Sequence, residues 1–328
     1  MRTPPARPWA LVIVSFSLAF GGFARAADDT PAPAQPKKAQ KGKGQAARIP
    51  AGIKPIRDLE YVPGGGKSRS LDLYVPEKTP DHPLPLVVWI HGGGWRQGTK
   101  SGGPFFPLLT HGYACASVEY RLSDEAKYPA QIHDCKAAIR YLRSHAKEYG
   151  IDGDHIGVWG GSAGGHLVAL LGTSGDVKEV EGDEGVTGVS SRVQAVCDWF
   201  GPADFLKFHT APTSIKKNAA DSPLTLLFGG TLEEKHDLAV QASPVTWVSK
   251  DDPPFLIMHG DKDPLVAPAQ SRELDELLKN AGVDVKLVIL EGAGHGGPMF
   301  QTPDSINTVR AFFDRTLKGA QSKSVGGQ

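Results

Sequence analysis

One serine of this sequence lies in a segment that could make it a nucleophile. The pentapeptide GGSAG at 160–164 follows an apolar segment, residues 156–159, and precedes another, residues 166–171. This order predicts a strand, a tight turn and a helix, with Ser162 on the turn. Flanking glycines leave room for a strained turn, and the first amides of a helix favour negative charge. Because short motifs recur by chance, an unreactive serine in a glycine-rich turn is the alternative.

A carboxylate that could orient a base follows a different apolar segment. Residues 255–258 are apolar and precede the sequence HGDKDP at 259–264. Asp263 lies farther beyond this predicted strand than Asp261, in a turn that a proline stiffens. We expect Asp263 to reach the crevice and Asp261 to support the turn, the alternative for Asp263 being a role in the turn alone.

A histidine that could act as the base lies near the C-terminus. Residues 285–290 are apolar and precede the glycine-rich sequence EGAGHGG at 291–297. Loops at the carboxyl ends of parallel strands converge on one crevice, so His295 is expected to meet Ser162 and Asp263 there. An exposed loop histidine is the alternative.

A third glycine-rich loop could stabilise an oxyanion. The sequence HGGGW at 91–95 follows the apolar residues 86–90. Backbone amides of Gly93 and Gly94, together with that of Ala163, could donate to the oxygen that becomes negative in a tetrahedral intermediate. No Gly-Lys-Ser/Thr sequence follows the loop, which disfavours phosphate binding, and its histidine is expected to brace the loop.

Strand-like and helix-like segments alternate over residues 53–318. Apolar segments typical of strands covered on both faces occupy residues 86–90, 114–118, 156–159, 193–196, 255–258 and 285–290, and residues 71–75 alternate as a half-buried strand does. Apolar residues recur at helical spacing within residues 132–146, 274–281 and 309–317. The pattern predicts an α/β fold with a doubly wound, mostly parallel sheet and helices on both faces.

Composition restricts the possible partners. Hydrophobic residues make up 40% of the 328 residues and charged residues 22%, which is typical of one large globular domain or two small ones. Lysine plus arginine equals aspartate plus glutamate at 36 each, so the charge balance does not favour nucleic acid as a partner.

The N-terminus predicts export. Arg2 and Arg7 precede the apolar residues 9–20, and an A-x-A pattern ends at Ala26. A signal peptide over residues 1–26 would leave a secreted or periplasmic protein with no stable membrane span. The apolar segment is shorter than the roughly 20 residues of a spanning helix, and a retained anchor is the alternative.

Segments without periodicity flank and interrupt the domain. Residues 27–52, rich in Pro, Ala, Gln and Lys, predict a disordered linker, and residues 319–328 predict a loose C-terminal tail. Within the domain, residues 172–191 predict a surface loop, and residues 202–253 predict short helices that could wall or cover the crevice.

The cysteines do not indicate a metal site. Cys115, Cys135 and Cys197 fall in segments predicted to be buried, and their spacing matches no zinc pattern. An odd number leaves at least one thiol unpaired within the chain. Three small buried side chains are one interpretation, and a Cys115–Cys135 disulfide is the other.

Together these motifs resemble those of the α/β-hydrolase esterases. The most similar group is the bacterial carboxylesterases related to hormone-sensitive lipase, including the acetyl-xylan and feruloyl esterase-like branch, and the resemblance covers about residues 53–317. It implies that Ser162 is the nucleophile, His295 the base and Asp263 its partner. Unlike the hormone-sensitive lipase group, this chain has no long helical segment before its first strands, so a lid would have to come from residues 202–253.

The predicted activity is hydrolysis of a carboxylic ester through an acyl-enzyme on Ser162, with no metal or organic cofactor. Export and the resemblance favour a small-molecule or polysaccharide ester, such as one with acetyl or feruloyl groups. A serine peptidase similar to the prolyl oligopeptidase group and a catalytically silent binding module on the same fold are the alternatives. The sequence does not predict an oligomeric state.

Overall fold

The computed structural model of the protein describes residues 49–210 and 213–319. The predicted signal peptide, residues 1–26, lies outside these residues, as do most of the predicted linker and all but the first residue of the predicted tail. The described residues all belong to one compact unit, and the domain boundaries at 53 and 318 stay a prediction. No helix in these two ranges is long and apolar enough to cross a membrane.

Eight strands form one mostly parallel sheet within the described part of the chain. They are β1 (Ile53–Glu60), β2 (Ser70–Pro76), β3 (Leu84–Ile90), β4 (Ala114–Val118), β5 (Ile151–Gly161), β6 (Ala195–Trp199), β7 (Phe255–Gly260) and β8 (Val285–Leu290). Their order across the sheet is β1-β2-β4-β3-β5-β6-β7-β8. The β1–β2 and β2–β4 pairs are antiparallel and the others are parallel, so the carboxyl ends of β3 to β8 share one edge.

Helices fill the connections between the parallel strands. They are α1 (Ala130–Ser144), α2 (Ala146–Tyr149), α3 (Ala163–Thr173), α4 (Phe205–Thr210), α5 (Pro223–Phe228), α6 (His236–Ala242), α7 (Ala269–Ala281) and α8 (Pro303–Phe313). A π-helical turn, Asp314–Lys318, continues α8. Short 3-10 turns lie at Lys67–Arg69, Phe106–His111, Lys178–Val180, Pro244–Trp247 and Pro298–Gln301.

Two apolar cores lie on the two faces of the sheet. Leu86 and Val88 of β3 belong to the core that also holds buried side chains of α1, α3 and α7. Val87, between them, belongs to the opposite core, which includes Phe312 and Phe313 of α8. Successive side chains of a strand point to opposite faces, so a segment covered on both faces must be apolar throughout. The predicted α/β fold with helices on both faces is confirmed.

Burial of the outer strands differs from the sequence-based expectation. β2 was expected to be half-buried, but all of its residues except the last are buried, because it lies between β1 and β4. β8 was expected to be covered on both faces, but it is only partly buried because it is the edge strand beside β7. β1 was not predicted, because its partly buried residues recur at every third position and not at every second one as in a regular strand. They are Ile53, Ile56 and Leu59, and the register with β2 shifts between the last two.

The cysteines are separate small side chains of the core. Cys115, Cys135 and Cys197 are all buried and none forms a disulfide, so the alternative of a Cys115–Cys135 bridge is wrong. Burial raises the pKa of each thiol well above its usual range, which keeps all of them protonated.

Candidate active site

The turn between β5 and α3 holds Ser162 in a strained conformation. Its φ of 58° and ψ of −121° lie in a region that residues with side chains rarely adopt. Two backbone hydrogen bonds fix the turn: Ser162 N donates to Trp199 O at 2.8 Å, and His166 N donates to Ser162 O at 2.9 Å. The hydroxyl therefore has a fixed position at the carboxyl edge of the sheet.

Glycines beside Ser162 allow the strand, the helix and a neighbouring loop to approach closely. A methyl group on Gly164 would overlap the carbonyl oxygen of Ile90, and one on Gly160 would overlap the carbonyl oxygen of Gly164. Both obstacles are backbone atoms, which cannot rotate away as a side chain can. The glycines of the motif are thus required by packing between elements as well as by the turn itself.

The structure brings the three residues singled out from the sequence into one hydrogen-bonded row. His295, in the loop after β8, places Nε2 at 2.7 Å from Ser162 Oγ. Its Nδ1 lies 2.7 Å from Asp263 Oδ2, in the loop after β7. Since an ionised carboxylate only accepts, Nδ1 carries the hydrogen and the neutral ring offers Nε2 as the acceptor for the serine proton.

The carboxylate of Asp263 has a donor for each of its lone-pair directions. Oδ1 accepts from the backbone amides of Leu265 at 2.8 Å and Val266 at 3.0 Å. Oδ2 accepts from His295 and lies 3.2 Å from His259 Nε2. Burial raises the pKa of Asp263, but the hydrogen bonds from His259 and His295 outweigh it and hold the pKa well below its usual range. The carboxyl therefore stays ionised beside the imidazole.

Asp261 has a different role from the one expected. It was predicted to support its own turn, but its Oδ1 accepts from the backbone amide of Gly292 at 2.6 Å, in the loop that carries His295. Asp261 thus ties the loop after β7 to the loop after β8. Both aspartates of the loop after β7 therefore position the loop that carries His295. Asp263 binds the imidazole ring, and Asp261 binds the backbone at Gly292.

His91 braces the loop after β3, in agreement with its expected role. Its Nδ1 lies 2.8 Å from Gly92 O and its Nε2 lies 3.2 Å from Glu119 Oε1. The ring stacks on Tyr120 with centroids 4.4 Å apart, and the Tyr120 hydroxyl donates to His91 O at 3.0 Å. With both ring nitrogens engaged, His91 is not free to act as a base.

Three backbone amides near Ser162 have no partner. Gly93 and Gly94 have positive φ values of 112° and 61°, which directs the loop past the serine. Within the residues that the structure describes, the amides of Gly93, Gly94 and Ala163 donate no hydrogen bond. All three residues line the same cavity as Ser162 and His295. An amide that faces a cavity and has no partner in the protein can donate to an oxygen of a bound molecule.

His166 connects α3 to the loop after β3 and to the segment of residues 202–253. This role was not predicted from the sequence. Its Nδ1 accepts from Trp95 Nε1 at 3.2 Å, and its Nε2 donates to Ala242 O at 2.8 Å. Burial lowers the pKa of His166 to about 4, so the ring is neutral and can accept the indole proton. The only signal in the sequence is that Trp95 directly follows the three glycines of the loop after β3.

Phe200 packs against the imidazole of His295, and this contact was also not predicted from the sequence. It follows β6 with a φ of 46°, and its ring contacts that of His295 edge-on with centroids 4.8 Å apart. No local pattern in the sequence predicts this contact, because it joins residues nearly a hundred positions apart.

A cavity of about 680 Å³ opens above Ser162. One wall is the loop that carries Gly93 and Gly94, and another comes from residues 202–253, including Phe208, Ile215 and Leu224. The segment of residues 202–253 therefore forms part of the wall of the site. Among the described residues, no group of three or more His, Cys, Asp and Glu side chains is arranged to hold a metal ion.

We expect Gly164→Ala to lower both stability and activity. The added methyl group overlaps the Ile90 carbonyl oxygen, so α3 must shift, at a cost of about 1–3 kcal/mol in the free energy of unfolding. Urea denaturation and the rate of ester hydrolysis measure the two effects. Gly294→Ala is the matched control, because a methyl group there meets no atom within 4 Å. Equal behaviour of the two variants would contradict the packing argument.

We expect Asp263→Asn to lower kcat by about 10³–10⁴-fold, since an amide does not hold His295 in the required tautomer. The variant should also lose less stability in acid. A carboxyl whose pKa is lower in the folded state stabilises the fold above its unfolded pKa of about 4, and this stabilisation is lost as the pH falls below that value.

Urea unfolding at about pH 7 and about pH 3 measures this difference. The free energy of unfolding should fall more between the two values in the wild type than in Asp263→Asn. Asp251→Asn, which changes an exposed carboxylate, should behave as the wild type does. An equal fall in the wild type and Asp263→Asn would show that Asp263 is not the group responsible.

Comparison with known proteins identifies the family of the chain. The BD-FAE family profile matches residues 71–278. Esterase LipQ of Mycobacterium tuberculosis is 30% identical over 267 residues, which cover 78% of this chain and 61% of LipQ. The chain spans between 56% and 61% of the length of LipQ and two further curated relatives from the same organism.

Solved structures with the same fold include a carbohydrate esterase and a bifunctional hydrolase. A truncated carbohydrate esterase from gut microbiota is 34% identical, with a TM-score of 0.75, over 81% of this chain and 96% of that one. An acetyl ester-xyloside bifunctional hydrolase from Caldicellulosiruptor lactoaceticus is 26% identical, with a TM-score of 0.62, over 78% of this chain and 88% of that one. The present chain belongs to the BD-FAE family and has the α/β-hydrolase fold.

Proposed function

We propose that this protein is a serine carboxylesterase with Ser162 as nucleophile, His295 as general base and Asp263 as the partner of the base. The observation that carries the proposal is the row of two 2.7 Å hydrogen bonds from Asp263 through His295 to Ser162. This row ends beside three unpaired amides in a cavity that admits a substrate.

Acylation transfers one proton and exchanges one carbon–oxygen bond for another. Ser162 Oγ gives its proton to His295 Nε2 as Oγ bonds to the ester carbonyl carbon. The carbonyl oxygen becomes negative and accepts from the amides of Gly93, Gly94 and Ala163. Each such donor contributes about 3 kcal/mol to lowering the barrier. The bond to the alcohol oxygen then breaks, and that oxygen takes the proton from His295.

Deacylation repeats these steps with water. His295 Nε2 accepts a proton from water as its oxygen bonds to the acyl carbon, and the same three amides hold the negative oxygen. The bond from the acyl carbon to Ser162 Oγ breaks, and Oγ recovers a proton from His295. Asp263 remains ionised throughout and stabilises the imidazolium that forms twice in each cycle.

The proposed substrates are short-chain or aryl esters of small molecules or polysaccharides, with acetyl and feruloyl groups as the main candidates. The motif resemblance and the names of two structural relatives, a carbohydrate esterase and an acetyl ester-xyloside hydrolase, support this class. Polar side chains in the wall of the large cavity, such as Gln97 and Ser214, are suited to hydrogen bonds with a hydroxyl-rich alcohol.

We expect Ser162→Ala to reduce hydrolysis of 4-nitrophenyl acetate by at least about 10³-fold, because no other group supplies the nucleophile. A fluorophosphonate probe should label the wild type and leave the variant unlabelled. Ser144→Ala, at an exposed position of α1, serves as the control and should match the wild type in both assays. Turnover by Ser162→Ala at the wild-type rate would contradict the proposal.

The same assays address the two alternatives. A peptidase similar to the prolyl oligopeptidase group would cleave a peptide amide at a rate comparable with that for the matching ester. A catalytically silent binding module would neither hydrolyse esters nor react with the probe. We expect ester hydrolysis to exceed amide hydrolysis by a wide margin.

Export through an N-terminal signal peptide is part of the proposal, and it depends on residues 1–26 of the sequence. When the full chain is expressed in a bacterium with a secretion pathway, we expect the mature protein to begin at Ala27 and to leave the cytoplasm. N-terminal sequencing of the exported protein measures this. A membrane-bound product that keeps Arg2 and Arg7 would instead indicate a retained anchor.

A further inference from the structure

Two separate cavities meet at Ser162. The large cavity measures about 680 Å³, and a smaller cleft of about 360 Å³ lies on the other side of the serine. Among the described residues, Ser162 is the one that lines both. A carbonyl carbon bonded to Oγ would therefore stand at the junction, with space for one substituent on each side.

The two spaces have different walls. The large cavity combines charged side chains, those of Arg96, Lys216 and Asp221, with apolar ones in the wall described above. Aromatic rings and glycines dominate the cleft, which is lined by Trp89, Trp199, Phe200, Phe300, Gly92, Gly103, Gly161, Gly296 and Gly297. The cleft therefore favours an apolar group, and the large cavity can take a group that has both hydroxyls and apolar parts.

The positions of the proton donor and of the amides decide which part of the ester enters each space. The alcohol oxygen must lie within reach of His295 Nε2, and His295 lines the large cavity but not the cleft. The negative oxygen must lie near the amides of Gly93, Gly94 and Ala163, which also line the large cavity. Of the four groups on the tetrahedral carbon, only the acyl substituent remains for the cleft.

We propose that the cleft between Trp89 and Phe300 binds the acyl group, that it selects flat or compact apolar acyl groups, and that the large cavity binds the alcohol. This assignment rests on the proposed esterase function. It makes the residues of the cleft the determinants of acyl preference and the residues of the large cavity the determinants of alcohol preference.

Glycines keep the cleft open beside its rings. A Cβ on Gly161 or Gly296 would lie 3.3 or 3.2 Å from the ring of Phe200, and one on Gly103 would lie 2.8 Å from Trp89. Side chains at these positions would therefore occupy the space next to the ring faces. A narrow space between ring faces and bare backbone fits a flat group better than a branched one.

The separation of the two cavities is also compatible with the order of acylation and deacylation. The alcohol leaves through the large cavity, and water reaches the space beside His295 by the same way while the acyl group remains in the cleft. Neither step requires the acyl group to move, so the carbonyl oxygen stays within reach of the amides between the two half-reactions.

A pair of matched variants tests the assignment. Trp89→Leu alters the cleft and Ile215→Ala alters the large cavity. With 4-nitrophenol as the common alcohol, we expect Trp89→Leu to lower the ratio of kcat/KM for benzoate over acetate by about tenfold. The ratio between 1-naphthyl acetate and 4-nitrophenyl acetate should stay within about twofold of the wild type.

Ile215→Ala should show the reverse pattern, with a changed preference between alcohols and an unchanged preference between acyl groups. Two results would overturn the assignment: Trp89→Leu changing the alcohol preference, or Trp89→Leu changing neither ratio. Active-site titration with the fluorophosphonate probe corrects each rate for the fraction of folded enzyme.

A structure of the wild-type enzyme decides the question even if Trp89→Leu does not fold. With 4-nitrophenyl methyl phenylphosphonate, Ser162 Oγ bonds to phosphorus and the bond from phosphorus to the 4-nitrophenyl oxygen breaks. The leaving oxygen takes the serine proton by way of His295, so 4-nitrophenol is released. The adduct keeps a phenyl group in the position of the acyl substituent. We expect the phenyl ring in the cleft and the methoxy group in the large cavity.

The opposite placement, in an enzyme that hydrolyses esters, would overturn the assignment and leave the proposed function intact. A wild-type enzyme that neither hydrolyses esters nor reacts with the phosphonate would instead refute the proposed function, and the assignment with it. The two failures are thus distinguishable.

Discussion

The active site depends on how closely three pieces of backbone pass one another at the carboxyl end of β5. Gly164 lies against the end of β3, and a methyl group on Gly92 would come within 2.5 Å of Gly161 O. This contact places the loop with Gly93 and Gly94 beside Ser162. The positive φ of the serine costs roughly 1–3 kcal/mol, and it persists because the surrounding backbone hydrogen bonds leave the turn no alternative.

A buried negative charge is the second requirement, and the structure meets it with donors from three directions. The side chain of Asp263 is fully buried, yet two backbone amides and two imidazoles surround it. A buried charge is tolerated when it is paired and hydrogen-bonded. Because the turn after β7 supplies the amides and β7 itself supplies His259, the strand that delivers the carboxylate also stabilises it.

Local patterns in the sequence predicted the sheet, the helices and the meeting of Ser162, Asp263 and His295, because strand ends and glycine-rich loops are encoded within a few residues. Contacts between distant residues were not predictable in this way. Trp95 and His166 are 71 positions apart, and nothing near either residue specifies that their rings meet. The burial of β2 and β8 was misjudged for the same reason, since it depends on which strands are neighbours.

The three free thiols have a consequence for the production of the protein. Cys115, Cys135 and Cys197 lie apart in the core with raised pKa values, so none is a thiolate that solvent-borne oxidants could attack. No cross-link among the described residues has to form before the chain folds. The described part of the chain can therefore reach its native state in a reducing cytosol as readily as in an oxidising medium, and its preparation needs no thiol oxidase.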